Sequence, residues 1–294
     1  MLLPYQLVPN EFGLWQSVGY DSLLGSCFLG LHVLRRRKGT SRKRELPPTP
    51  QVGKRALITT IGALAVAYRW SGYVAALVDG FVYRATPTAT PAMGRALQVL
   101  GGHLAWLVVG VSVLAVVPAI EWRDGRLRWN RGKATAWYRF QWKTDWLWWV
   151  AGGYAASALA FNVADGLNHF VVPSVLFDDD TLVTRMINPE DNDVVALVAG
   201  SIAPCVTAPV WEEALYRGFL LKALVPFAGP AAALPLSAVL FAAHHLTLTA
   251  ALPLAVLGGL WGHIYVAARQ NLLVPALIHA LWNARVFLGA LLGL

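Results

Sequence analysis

Charge is scarce in this chain: 14% of its 294 residues are Asp, Glu, Lys or Arg against 56% that are hydrophobic, and the mean hydropathy is +0.51. So little charge cannot cover a water-soluble surface, and the apolar residues fall in runs long enough to cross a bilayer core of about 30 Å. Cysteine is scarcer still. Cys27 and Cys205 lie in different apolar segments and form no C-x-x-C pair, which excludes a disulfide framework and a structural zinc knuckle. Acidic residues are fewer than basic ones, 16 against 24, giving a formal charge of +8. The excess base sits in loops beside apolar runs, as in cytoplasmic loops of membrane proteins, and does not read as a nucleic-acid footprint. There is no period of 20 to 50 residues, so no solenoid. What remains is an all-α, multi-pass integral membrane protein, a polytopic transmembrane bundle of about seven or eight helices whose first partner is the lipid bilayer.

Three regions follow. Residues 1–55 hold a marginal apolar segment, Val18 to Leu34, with Asp21 and His32 inside it, followed by the basic linker that opens at Arg35-Arg36-Arg37-Lys38. At 17 residues the segment suits either a short span or a helix lying on the surface. Its basic cluster follows the apolar core, the reverse of a cleavable secretory signal. Residues 56–192 carry three apolar runs, 56–83, 94–120 and 146–176, the last opening on the tryptophan cluster Trp146, Trp148 and Trp149. Residues 193–294 hold shorter, crowded runs punctuated by Pro204, Pro209, Pro226, Pro230, Pro235, Pro253 and Pro275. Such prolines free backbone groups, tolerated at membrane depth only beside protein or a water-filled cavity, so this region is expected to bear the cavity. Gly258-x-x-x-Gly262 and Gly289-x-x-x-Gly293 offer small faces for close helix packing.

Loop charge sets an orientation. There are nine Lys or Arg from Arg35 to Arg55, two from Arg84 to Arg95, seven from Arg123 to Lys143 and one from Asp178 to Asp193. The basic loops are expected on the cytoplasmic side or its topological equivalent, and the acidic loop on the other.

The chemistry is concentrated in the last region. Trp211-Glu212-Glu213-Ala214-Leu215-Tyr216-Arg217 puts two carboxylates and a guanidinium into an apolar run, where ionisable groups are costly and mark a functional site. On a helix Glu213 and Arg217 are four apart and can pair, while Glu212 points roughly 100° away. One carboxylate is then left over to serve as a general base or acid. Phe241 and His245 are four apart on a second run, with the phenyl ring placed to shield the imidazole; His279 and Asn283 are four apart on a third. A carboxylate, an imidazole, and an imidazole with a carboxamide supply a base, a group to orient water, and donors for an oxyanion. His244 falls about 100° from His245 and is expected to pack or to support the site from behind.

Glu212-Glu213-x-x-x-Arg217, Phe241-x-x-x-His245 and His279-x-x-x-Asn283, in this order on successive apolar runs, resemble the three motifs of the type II CAAX prenyl endopeptidases, the CAAX protease and bacteriocin-processing (ABI) family of intramembrane proteases. The stretch from Trp146 through the acidic loop, with the Leu-Tyr-Arg-Gly-Phe-Leu-Leu segment, is similar to the plastid and cyanobacterial branch, which implies a plastid membrane. The resemblance implies a peptidase acting on peptides or prenylated proteins at the membrane. Glu212, with His245, would activate water; His279 and Asn283 would stabilise the oxyanion; Glu213 and Arg217 would hold the architecture. The family's classification as metalloendopeptidases implies zinc as a candidate cofactor, with Glu212, His245 and His279 as its ligands and a fourth position open. No His-Glu-x-x-His is present to make a thermolysin-like site. Nor is there a Gly-x-Ser-Gly of the rhomboid kind or a Gly-x-Gly-Asp of the presenilin kind. Two other classes share the inventory: a non-catalytic scaffold keeping these residues for packing, and a transporter, which would show inverted repeats that this sequence lacks.

Overall fold

The computed structural model describes residues 14–38, 53–85, 88–123, 126–129, 137–142, 145–177 and 182–292. The Arg42-Lys43-Arg44 cluster, Pro47-Pro48, Asp178 to Asp180 and Gly293 lie outside them. The architecture is a helical membrane bundle, as the apolar runs require. Its helices are α1 (Leu14–Lys38), α2 (Lys54–Ala85), α3 (Pro91–Val116), α4 (Trp146–Val171), the short α5 (Leu182–Ile187), α6 (Val194–Ile202), α7 (Ala208–Glu213), α8 (Leu221–His244), α9 (Ala251–Ala267) and α10 (Leu273–Leu292). A small antiparallel hairpin, β1 (Ile120–Arg123) with β2 (Arg126–Trp129), stands in the stretch read as a basic loop. Among the described residues, five helical runs are long and apolar enough to cross a membrane: 54–85, 91–119, 194–244, 248–267 and 273–292.

The run 194–244 cannot be one span, since 51 residues of helix would reach about 75 Å, over twice the bilayer core. It breaks at Gly229, whose φ of 74° lies where only glycine is comfortable, and Pro230 then restarts the helix. Residues on either side of that break meet. The Ser237 hydroxyl donates to Tyr216 O (3.1 Å), and the Tyr216 ring stacks edge-on against Phe241 at 5.2 Å. The two halves are therefore an antiparallel hairpin, counted once by apolarity and twice by geometry.

The helix α1 runs antiparallel along α4. Asn162 Nδ2 donates to the buried Asp21 (3.2 Å), Gly25 lies against Leu159, and Phe28 sits over Gly152, where a Cβ would come within 1.7 Å of the ring. Further along, His32 packs on Trp149 and Arg35 lies over Trp148, 4.0 Å from the ring centre. Fourteen residues of one helix thus track fourteen of the other, and the segment from Val18 to Leu34 lies in the bundle beside α4.

The two ends of the bundle differ in charge. At one end lie Arg35 of α1, Lys54 and Arg55 of α2, the hairpin, and the segment 137–142. That segment docks on the turn between α9 and α10: Leu272 N donates to Arg139 O (2.7 Å), and Asn271 exchanges hydrogen bonds with the Gln141 backbone (2.9 and 2.7 Å). At the other end, Arg95 at the start of α3 pairs with Glu190, while Asp193 caps α6 through Ala196 N (2.9 Å) and accepts from the Thr90 hydroxyl.

These contacts hold the Asp193 carboxyl below its ordinary value of 3.8, the Thr90 bond first and the Ala196 amide second. Because the pKa is lowered on folding, the cap stabilises above the unfolded value near 4 and its contribution fades as pH falls through the lower folded value. Asp193→Asn is expected to melt below the wild type at pH 6, with the gap closing between about pH 4 and pH 3 in a thermal melt of detergent-purified protein. A gap that stays constant over that range would show that the carboxylate charge has no part in the cap.

Candidate active site

Proline chemistry shapes the first motif. In a regular helix the Pro209 ring would clash with the Cys205 carbonyl. The chain widens instead into a π turn over Ala203–Thr207, where Ala208 N donates to Ala203 O. In that i to i+5 pattern the Pro204 carbonyl faces Pro209, which has no N–H to give. The Asn283 carboxamide takes its place, donating from Nδ2 at 2.7 Å across from α10. A second π turn, Ala214–Leu220, follows directly after Glu213. π segments inside α-helices recur at functional sites, where they re-aim side chains.

Between them, Glu212 and Glu213 part company as their one-residue spacing requires. Glu213 is fully buried and engaged: Arg217 Nη1 donates to its Oε1 at 2.8 Å, and His279 Nδ1 lies 3.2 Å from the same atom. Arg217, 1% exposed, sends Nη2 to Gly258 O (2.9 Å) and lays its guanidinium over the Phe241 ring, 4.7 Å from its centre. Gly258 allows this approach, because a Cβ there would stand 3.1 Å from the Phe241 ring. Its partner Gly262 faces Leu234, so this small-residue face packs α9 against α8.

Glu212 has no such partner. Its Oε2 is buried without a hydrogen bond among the described residues, and the nearest charge-bearing group is His245 Nε2 at 4.0 Å. His245 ends α8. Its amide donates to Ala242 O, which leaves Phe241 O to accept from the ring Nδ1 at 2.8 Å. That bond fixes Nδ1 as the protonated nitrogen and turns the free Nε2 toward Glu212. Leu246 follows in the left-handed region (φ 52°), a conformation costly for a leucine, and reverses the chain just past the imidazole.

Glu212, His245, His279 and Asn283 all line one cavity of about 340 Å³, together with Phe241, Trp261 and Trp282. His244 does not: it packs edge-on against Tyr68 of α2, 5.5 Å between ring centres. Several wall residues carry no polar signal that a sequence reading could catch, among them Phe161 of α4 and Leu182 and Val183 of α5. His103 of α3 stands 3.0 Å from the Thr207 hydroxyl, within electrostatic reach of Glu212. The Pro204–Pro209 spacing was visible, but its consequence for Asn283 required the facing helix.

A zinc ion needs three donors at about 2.0–2.2 Å from one point. Among the described residues no group of three or more His, Cys, Asp or Glu is so arranged, and His279 Nδ1 is directed at Glu213 instead. Glu212, His245 and His279 as they stand do not fit a metal, and no step below runs through one.

A comparison with known families finds a match over the region that carries the three motifs. Residues 194–285 match the family model of Type II CAAX prenyl endopeptidase, Rce1-like. No curated protein and no solved structure matches the chain. The match covers roughly the C-terminal third, from α6 into α10, and contains every motif residue named above. Over this region the chain is similar to the Rce1-like type II CAAX prenyl endopeptidases. The cavity wall extends beyond the match, since Phe161, Leu182 and Val183 come from helices that precede it.

Proposed function

We propose that the chain is an intramembrane endopeptidase that hydrolyses peptide bonds of membrane-associated proteins by a glutamate-activated water. The observation that carries this reading is the division of labour between adjacent carboxylates. Glu213 is committed through Oε1 to Arg217 and His279 and stays out of the cavity, its Oε2 buried without a partner among the described residues, whereas Glu212 lines the cavity and makes no hydrogen bond among them. A buried, unpaired carboxylate beside an imidazole is suited to take a proton from water.

In the proposed reaction Glu212 removes a proton from a water held between it and His245 Nε2, and the hydroxide oxygen bonds to the scissile carbonyl carbon. The carbonyl π pair moves onto oxygen. The second N–H of Asn283, the first being spent on Pro204 O, and the His279 ring, oriented by Glu213, donate to that oxyanion. The pair returns as the C–N bond breaks, and the proton carried by Glu212 passes to the departing amine. Arg217 Nη1 donates to Glu213 Oε1 and so holds that carboxylate in place against His279. On the softer resemblance of its loops alone, we also propose a plastid membrane as the setting.

The test is cleavage by detergent-purified protein, where both ends of the bundle are open to solvent, of a farnesylated CAAX reporter and a soluble peptide library, with and without a zinc chelator. Cleavage that changes less than about twofold with chelator is expected. Failure to cut any peptide would sink the peptidase reading in favour of a scaffold, and loss of cutting with chelator would overturn the metal-free mechanism.

A further inference from the structure

The cavity has a closed end and an open end, and the loops at the two ends differ in charge. Along α10 the lining residues begin at His279 and continue to Phe287, with none before His279; along the rod of α6 and α7 they run from Pro204 to Glu212, with none after it. On α9, which runs the other way, they start at Ala250 and stop at Trp261. All three helices therefore agree that the cavity extends from Glu212 toward the end where α5 lies and where Asp193 caps α6. Leu182 of α5, 55% exposed, and the turn residues Thr247 and Thr249 form its rim.

Toward the opposite end the way is shut. The Glu213–Arg217–His279 cluster forms the floor, each member at 4% exposure or less. Beneath it Tyr265, Leu272 and Trp137 are buried at 1% or less, with Lys222 Nζ donating to Trp137 O at 2.6 Å. Nothing the size of a peptide passes through side chains packed this closely.

The closed end is the basic one. Among the described residues it carries Arg35, Lys54, Arg55, Arg139, Lys222 and Arg269, and the stretches of sequence that leave and re-enter the bundle there hold nine and seven Lys or Arg, whereas the open end has Arg84, Arg95 and Arg185 among the acids Glu190, Asp191 and Asp193. Lys and Arg are retained on the cytoplasmic side in loops of this length.

We infer that the site opens to the non-cytoplasmic face, or its topological equivalent, so that its substrates are juxtamembrane peptide segments of translocated or membrane-inserted proteins presented there. The substrate half of this inference rests on the peptidase reading; the orientation half does not. A lipidated terminus exposed on the cytoplasmic face has no path to Glu212, which separates this chain's substrates from the prenylated proteins that the resemblance implied.

The two halves are tested in sealed membrane vesicles of both orientations prepared from a bacterial host. In a background with Cys27→Ser and Cys205→Ala, a single Leu182→Cys at the rim and, separately, a single Arg269→Cys at the closed end are exposed to an impermeant maleimide. Leu182→Cys is expected to label about tenfold more in right-side-out vesicles, and Arg269→Cys about tenfold more in inside-out ones. The reverse pattern overturns the inference. A soluble quenched-peptide library added outside wild-type vesicles, with Glu212→Gln vesicles as the blank, is expected to be cut only by right-side-out vesicles. Cutting by inside-out vesicles alone also overturns it. Rim labelling from the outer face with no cutting in either orientation would remove the peptidase reading and leave the orientation standing.

Discussion

Glu212→Gln is expected to lower peptide hydrolysis by about 10²–10⁴-fold, the usual contribution of a positioned general base, while leaving the melting temperature and helical content of the purified protein unchanged. The substitution keeps the shape of the side chain and removes its charge, and with it its capacity to take a proton. It also breaks nothing, since Oε2 has no hydrogen-bond partner among the described residues and His245 Nε2 stands 4.0 Å off. Loss of activity with an unchanged melt is therefore the signature of chemistry. If activity survives within tenfold, the water is activated elsewhere and Glu212 is a packing residue, as a scaffold would have it. Glu213→Gln is the instructive contrast, because it strips charge from an oxygen shared by Arg217 and His279 and so disturbs structure as well as rate.

Arg217→Ala is the second large effect, and it is one of stability. Removing one member of a buried ion pair leaves the other uncompensated, typically at about 3–5 kcal/mol. Here the guanidinium also bridges α7 to α9 through Gly258 O and covers the Phe241 ring, so three helices lose a shared contact. Arg217→Lys is expected to rescue little, since a single ammonium lacks the planar fork that reaches Glu213 and Gly258 at once. The double variant Glu213→Gln/Arg217→Met, which removes both charges, is expected to regain more than half the lost stability and none of the activity, because His279 then has no carboxylate to orient it. Thermal melts in detergent read the first outcome and the peptide assay the second. A single Arg217→Ala variant that melts within about 1 kcal/mol of wild type would show that the buried pair is not what holds the floor of the cavity.

Much of this was legible because it follows from short-range geometry. Residues four apart on a helix share a face whatever the helix packs against, so the Glu213–Arg217 pair and the common faces of Phe241 with His245 and of His279 with Asn283 could be read directly. Even the π turn after Glu213 left the first pairing intact at 2.8 Å. The membrane class follows from composition. Depth is harder to read: Asp21 within a 17-residue apolar segment left α1 between a span and a surface helix, and only the partner Asn162 on α4 shows where it lies.

What the sequence by itself determined, then, is the bilayer as solvent, the order of the helices, and the small set of polar groups that cannot be idle at that depth. Tertiary structure alone decided that His279 meets the carboxylate already paired with Arg217, because His279 is 66 residues from Glu213 and no local rule says which of two adjacent acids it will meet. It likewise decided that His245 and not His244 enters the cavity, that apolar residues of α4 and α5 complete the wall, and that the floor is closed on the basic side. Each of these depends on how separate helices are rotated and stacked against one another, and that rotation is set by the packing of many small contacts, such as Gly258 beneath Phe241, which carry no periodic signal in the chain.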